Sequence, residues 1–181
     1  MAKLRVGVLI SGSGSNLQAL IDELHGREIT IVGVCSNRAD AHGLERARSV
    51  QIETGVFVDD QLAMADWFTE RRAQLIVCAG YMRILSPTFL DRFPQRVINV
   101  HPSLLPAFPG AHAIEDTLAA GATETGVSVH LVDDGVDTGH VIEQERVPVH
   151  YGETADALRT RIHGVEHRLL PAVVRQFAKE A

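Results

Sequence analysis

The amino-acid sequence predicts an α/β fold: one open sheet, mixed and mainly parallel, of Rossmann-like type with helices on both faces. Three observations carry that expectation. The first hundred residues alternate apolar strand-like runs with segments of helical periodicity, the βαβα rhythm that builds a parallel sheet. The run Gln74–Ala79 continues as Leu-Ile-Val-Cys-Ala without a polar residue, as a central strand covered on both faces requires. Later in the chain two strand patterns follow one another across a short Gly/Asp-rich connection, which adds an antiparallel pair.

Leu4–Ile10 is the first apolar run, and Leu17, Leu20, Ile21 and Leu24 then recur at helical spacing. Thr30–Ser36 reads as the second strand and Leu44–Val50 as the helix after it. A short strand at about Gly55–Val58 and a helix over Leu62–Arg72 precede the central strand Gln74–Ala79, and Val97–His101 is the next strand. A Pro-rich stretch from Pro102 to Pro109 leads into a short helix over Ala113–Ala120. Strands Thr125–Leu131 and Val141–Val149 flank the loop Asp133–Gly139. The last helix, from about Glu153 to Lys179, has its apolar stripe at Ala155, Leu158, Ile162, Val165 and Leu169, with a kink expected at Pro171. Residues 1–181 form one domain in this reading: 1–100 a nucleotide-binding-like βα half, 101–181 the half that carries catalysis.

Composition narrows the function classes. A chain of 181 residues buries roughly two-thirds of its unfolded surface and needs no disulfide or metal staple. No apolar run approaches the ~18 residues of a membrane span, and the start runs directly into a strand, leaving no room for a signal peptide. Cys35 and Cys78 lie apart inside apolar runs, as small buried hydrophobes do. The expected location is the cytoplasm. Net charge is −6 without a basic stripe, which argues against a nucleic-acid partner.

Four segments can carry chemistry. Ser11-Gly-Ser-Gly-Ser-Asn16 joins the first strand to the first helix, where small residues and a helix N-terminus suit an anion. Leu17 stands where a dinucleotide fingerprint needs glycine and no Gly-Lys-Ser/Thr follows, so a single phosphate monoester fits better than a pyrophosphate; a plain capped turn is the alternative. Asn99 and His101 lie two apart on a strand and project together at its carboxyl end, where open α/β sheets bind ligands. An amide donor beside an imidazole suits acyl transfer, although a histidine at a strand end can equally be structural. Asp137, in Asp133–Gly139, is a candidate partner that would favour the imidazolium; the same loop can be a solvated acidic turn. His163-Gly-Val-Glu-His167 matches a helical zinc pattern, but only Glu180 follows as a carboxylate ligand, so no metal site is expected.

Taken in order, Ser11-Gly-Ser-Gly-Ser-Asn16, Ala79-Gly-Tyr-Met-Arg-Ile-Leu-Ser-Pro87, Asn99-Val-His-Pro-Ser-Leu-Leu-Pro106 and Asp137-Thr-Gly139 resemble the phosphoribosylglycinamide formyltransferase family over nearly the whole chain. The resemblance implies formyl transfer from 10-formyltetrahydrofolate, as co-substrate and without metal, to the amine of glycinamide ribonucleotide (5-phosphoribosylglycinamide) in de novo purine biosynthesis. It implies that Gly14, Ser15 and Asn16 hold the substrate phosphate and that Glu166 contacts the ribose. Met82, Arg83, Ile84 and Leu85 would line the folate pocket, with Asp133–Asp137 backbone gripping the pterin. Asn99 would bond the formyl oxygen and His101 act as acid beside Asp137, the amine attacking directly with no covalent enzyme adduct.

The partners implied are small molecules only, with no nucleic acid and no membrane, for a monomer or homodimer. Two departures from the family pattern stand out. The connection after Val58 is short, where relatives carry a longer one with a basic folate contact. His163 stands where relatives often have Gln or Lys beside the phosphate, which would make binding weaken as pH rises. The rival functions are a hydrolase releasing formate from the same donor, formylation of a larger acceptor such as methionyl-tRNA, and a non-catalytic NADP-binding module in which Arg38 meets a 2′-phosphate.

Overall fold

A computed structural model describes residues 3–181. Seven strands form one sheet in the order β3-β2-β1-β4-β5-β6-β7: β1 (Leu4–Ile10), β2 (Ile29–Ser36), β3 (Thr54–Val56), β4 (Leu75–Cys78), β5 (Val97–His101), β6 (Glu124–Leu131) and β7 (Val141–Pro148). The first five run parallel, and β6 and β7 complete the sheet antiparallel. The mixed, mainly parallel sheet is therefore the one that the sequence predicts.

Period-2 alternation divides the burial between two layers. One face is covered by α1 (Ser15–Glu23), α2 (His42–Ser49), α5 (Ala113–Ala119) and α6 (Ala155–Lys179), which pack Leu17, Leu20, Leu44, Ile114, Leu158 and Ile162 against Val6, Val8, Ile98, Val100, Val127 and Val129. The other is covered by α3 (Gln61–Glu70) and the one-turn α4 (Pro87–Leu90), whose Met64, Phe68 and Phe89 meet Leu9, Ile76 and Val97. Both cysteines are buried thiols on this second side.

Helix starts follow local chemistry. Asp60 accepts from the Ala63 amide at 2.8 Å to cap α3, and Thr154 accepts from Ala157 at 3.2 Å to cap α6. One detail differs from the sequence expectation. The short α4 has no periodic signature to announce it; Ser86 and Pro87 start it by capping chemistry alone. As expected, α6 runs through Pro171 to Lys179, and the turns around the proline are held in the core by Leu169, Leu170, Val173 and Val174.

What the topology does for function lies at its centre. From β1 the chain moves outward to β2 and β3, then returns to β4 on the other side of β1. The connections leaving the carboxyl ends of β1 and β4 therefore diverge, and a crevice opens between them.

Candidate functional site

The crevice is a cleft of about 580 Å³, lined by three groups of residues: the turn Gly12–Asn16 after β1, the segment Cys78–Leu85 after β4, and the end of β5 with the loops facing it. All the site residues expected from the sequence border it: Gly14, Ser15, Asn16, Met82, Arg83, Ile84, Leu85, Asn99, His101, Asp137 and Glu166.

The first group is an anion-receptive turn. Gly14 precedes α1 with φ +71°, a left-handed conformation, and a β-carbon there would stand 2.5 Å from Cα of Gly43. The turn is thus free to pack against the start of α2 only with glycine. No side chain caps α1 and its first turn holds no acidic residue, so its amides and dipole face the cleft uncompensated. Asn16 donates to Glu166 Oε2 at 3.0 Å, and its own buried Oδ1 has no partner among the described residues. Burial pushes the Glu166 carboxyl up to about 7, against the lowering effect of the Asn16 hydrogen bond. His163 also borders the cleft; burial, then the nearby His167 and Arg159, hold its pKa below the ordinary histidine value.

The second group is apolar and open. Met82 and Ile84 are largely exposed at the mouth while Leu85 is anchored in the core. Backbone is held here by side chains: Ser11 Oγ accepts from Met82 N at 2.8 Å, and Gln61 spans Ile84 O at 2.8 Å and Ser86 N at 2.7 Å. Arg83 pairs with Asp59 at 2.7 Å, so the short segment after Val58 places an acid on the cationic residue of this wall.

The third group contains the polar centre. Asn99 and His101 share one face of β5, while Ile98 and Val100 point into the core. The Asp137 carboxylate reaches both histidines nearby: Oδ2 lies 3.3 Å from His101 Nδ1, and Oδ1 lies 3.4 Å from His130 Nε2. The Gly110 amide donates to Asp137 Oδ2 at 2.8 Å. Burial raises the Asp137 pKa, but its polar neighbours His130, the Gly110 amide and His101 together hold it below the usual carboxylate range. On the other side of the ring, His101 Nε2 meets the Phe108 carbonyl at 2.9 Å. Both ring nitrogens thus face acceptors, an arrangement in which an imidazolium donates twice.

His130, the Phe108 carbonyl and the Gly110 amide were not anticipated from the sequence. His130 sits on β6 directly opposite Asn99 in the antiparallel register, and that pairing is the signal that identifies it. The zinc pattern on α6 does not assemble. His163 and His167 stack at 6.1 Å between ring centroids, and among the described residues no three His, Cys, Asp or Glu side chains cluster to hold a metal. No helix among these residues is long and apolar enough to cross a membrane.

Residues 4–174 match the model of a family described as formyl transferase. A phosphoribosylglycinamide formyltransferase of Escherichia coli is 42% identical, the match covering 97% of this chain and 87% of that protein. The trifunctional purine biosynthetic protein adenosine-3 of Chironomus tentans is 43% identical over 97% of this chain, which spans 14% of that longer protein. Among solved structures, glycinamide ribonucleotide transformylase 1 from Symbiobacterium toebii superposes with a TM-score of 0.94 at 43% identity, covering 98% of this chain and 89% of that one.

Proposed function

This chain belongs to the formyl transferase family, and on that premise we propose that it transfers the formyl group of 10-formyltetrahydrofolate to the amine of glycinamide ribonucleotide, a step of purine biosynthesis. The observation that carries the proposal is the polar centre itself. An amide donor and an imidazole bound to a carboxylate stand on one strand end, in a cleft shared by an anion-receptive turn and an apolar wall.

The substrate phosphate belongs on the uncapped amides of Gly14, Ser15 and Asn16, where the α1 dipole favours negative charge. Glu166 and the unpartnered Oδ1 of Asn16 can accept hydrogen bonds from the ribose hydroxyls beside it. The donor's ring system fits the apolar wall of Met82, Ile84 and Leu85 and the backbone of the 133–137 loop, with Arg83 near its acidic end.

The bound donor supplies an activated formyl carbon, and amine attack builds negative charge on the formyl oxygen. Asn99 meets that charge with an amide N–H. His101, oriented by Asp137, whose carboxylate stabilises the protonated ring, gives a proton to the formyl oxygen as the charge develops. When the tetrahedral adduct collapses, that proton returns to His101, the bond from the formyl carbon to the folate nitrogen breaks, and the proton shed by the attacking amine goes to the departing folate nitrogen. No side chain in this scheme acts as a nucleophile, so no covalent enzyme adduct forms.

The test is a spectrophotometric assay of formyl loss from 10-formyltetrahydrofolate, with and without glycinamide ribonucleotide. Loss that requires the ribonucleotide is expected. Loss without it identifies a formate-releasing hydrolase, and no loss in either case rejects the donor.

A further inference from the structure

We infer that His130 is a positioning residue for the reaction: as a neutral ring it holds the Asn99 amide with its N–H groups directed at both His130 and the formyl oxygen. The inference rests on the role proposed above for Asn99.

The Leu131 contact selects the tautomer of a neutral His130. Nδ1 lies 2.8 Å from the Leu131 carbonyl, which can only accept. A neutral ring must therefore place its single proton on Nδ1, leaving a lone pair on Nε2. That lone pair faces Asn99 Nδ2 at 3.2 Å, which supplies the matching N–H. A carboxamide has two N–H bonds on one nitrogen, so fixing one against His130 fixes the direction of the other. The β5–β6 register holds the two side chains on the same face, Asn99 directly opposite His130. His130 is 2% exposed, so water does not compete for this bond.

The alternative state of the ring makes the coupling two-way. The groups facing His130 are Asn99 from β5, the Leu131 carbonyl of β6 and Asp137 from the 133–139 loop, which also pairs with His101. If His130 took a second proton on Nε2, that N–H would turn to Asp137 Oδ1, 3.4 Å away. It would then confront the Asn99 amide with a donor in place of an acceptor. Asn99 would rotate to present its carbonyl, and the formyl oxygen would meet an acceptor where it needs a donor. His130 thus acts through Asn99 without touching the reacting atoms.

A double-mutant cycle tests this, using His130→Leu, Asn99→Ala and the pair, each checked for native circular dichroism. His130→Leu is expected to lower kcat by about 10- to 100-fold, the scale of a misaligned catalytic group, with both KM values nearly unchanged. His130→Gln, whose side-chain carbonyl can accept the same N–H, is expected to recover most of the loss. In the Asn99→Ala background His130→Leu is expected to add nothing. Losses that multiply in the double variant would overturn the inference while leaving the role of Asn99 intact. A normal rate for Asn99→Ala would instead remove the formyl-oxygen contact, and the inference with it. Should His130→Leu fail to fold, the imidazole ¹⁵N spectrum of the unmodified enzyme decides. A lone pair on Nε2 is expected, and the opposite tautomer or an imidazolium overturns the inference.

Discussion

Asn16 and Glu166 lie 150 positions apart and meet at 3.0 Å, joining the first turn of α1 to the middle of α6. The bond places a carboxyl group inside the core edge of the cleft, beside the uncapped start of α1. Its protonation is therefore tied to both stability and binding.

Glu166→Gln separates the two. The folded carboxyl has its pKa raised from 4.5 to about 7, so the native state binds the proton more tightly than the unfolded chain. The stabilisation from that proton is complete below pH 4.5 and is lost as pH rises through about 7. Glutamine removes this loss. The variant is expected to exceed the parent's stability by about 3 kcal/mol at pH 8 and to match it near pH 4.5. Denaturant melts at the two pH values check this, and calorimetry should show weaker binding of the ribonucleotide to the variant.

Asp137→Asn isolates a charge. Asp137 adopts φ +54°, a left-handed conformation that asparagine tolerates as readily, so the loop backbone is not strained by the exchange. Because the Asp137 pKa lies below the usual carboxylate range, the parent residue is ionised at neutral pH. Its loss is expected to lower kcat by about 10²–10⁴-fold with the fold intact, and His101→Ala to be at least as damaging. Steady-state kinetics with circular dichroism check this; a near-normal rate would remove Asp137 from the proton-transfer scheme.

Gly14→Ala strikes the anion turn. The new methyl would overlap Cα of Gly43, a backbone atom, and would sit at a positive φ. A loss of about 1–3 kcal/mol of stability is expected, together with loss of ribonucleotide affinity larger than that of the folate. Equal loss for both ligands would detach the turn from the phosphate.

His163 borders the cleft that holds the proposed phosphate site, whereas His167, its stacking neighbour, borders a smaller hollow with Arg46 and Gln18. Binding of an anion beside His163 reverses the depression of its pKa, so affinity is expected to fall from about pH 5.5 to 8. Phosphate ionisation near pH 6 pulls the other way, so the measure is calorimetry of the parent against His163→Gln, in which this component disappears. His167→Ala is expected to be nearly silent, and a chelator to leave the rate unchanged. A large loss with His167→Ala that zinc restores would establish a metal role for the α6 pair.

Much of this architecture is legible in local pattern. Apolar runs and helical spacing locate all seven strands and five of the six helices, with ends shifted by one to a few residues where capping sets the boundary. The exception, α4, is a single turn too short for periodicity to register. At the site, the common projection of Asn99 and His101 follows from their spacing of two, and the Gly-Ser turn follows from its residue types.

What the sequence by itself determined is the set of elements, the Gly-Ser turn and the paired Asn99 and His101, because each depends on residues within a few positions of one another. Only the tertiary structure decided that His130 faces Asn99, that the Phe108 carbonyl takes His101 Nε2, and that Glu166 meets Asn16. The physical reason is register. Which residue of β6 stands opposite Asn99 depends on how the strands pair across the sheet. Which turn of α6 reaches α1 depends on how the helices pack over it. Both are chosen by the burial of the whole core, and neither leaves a trace in the local periodicity.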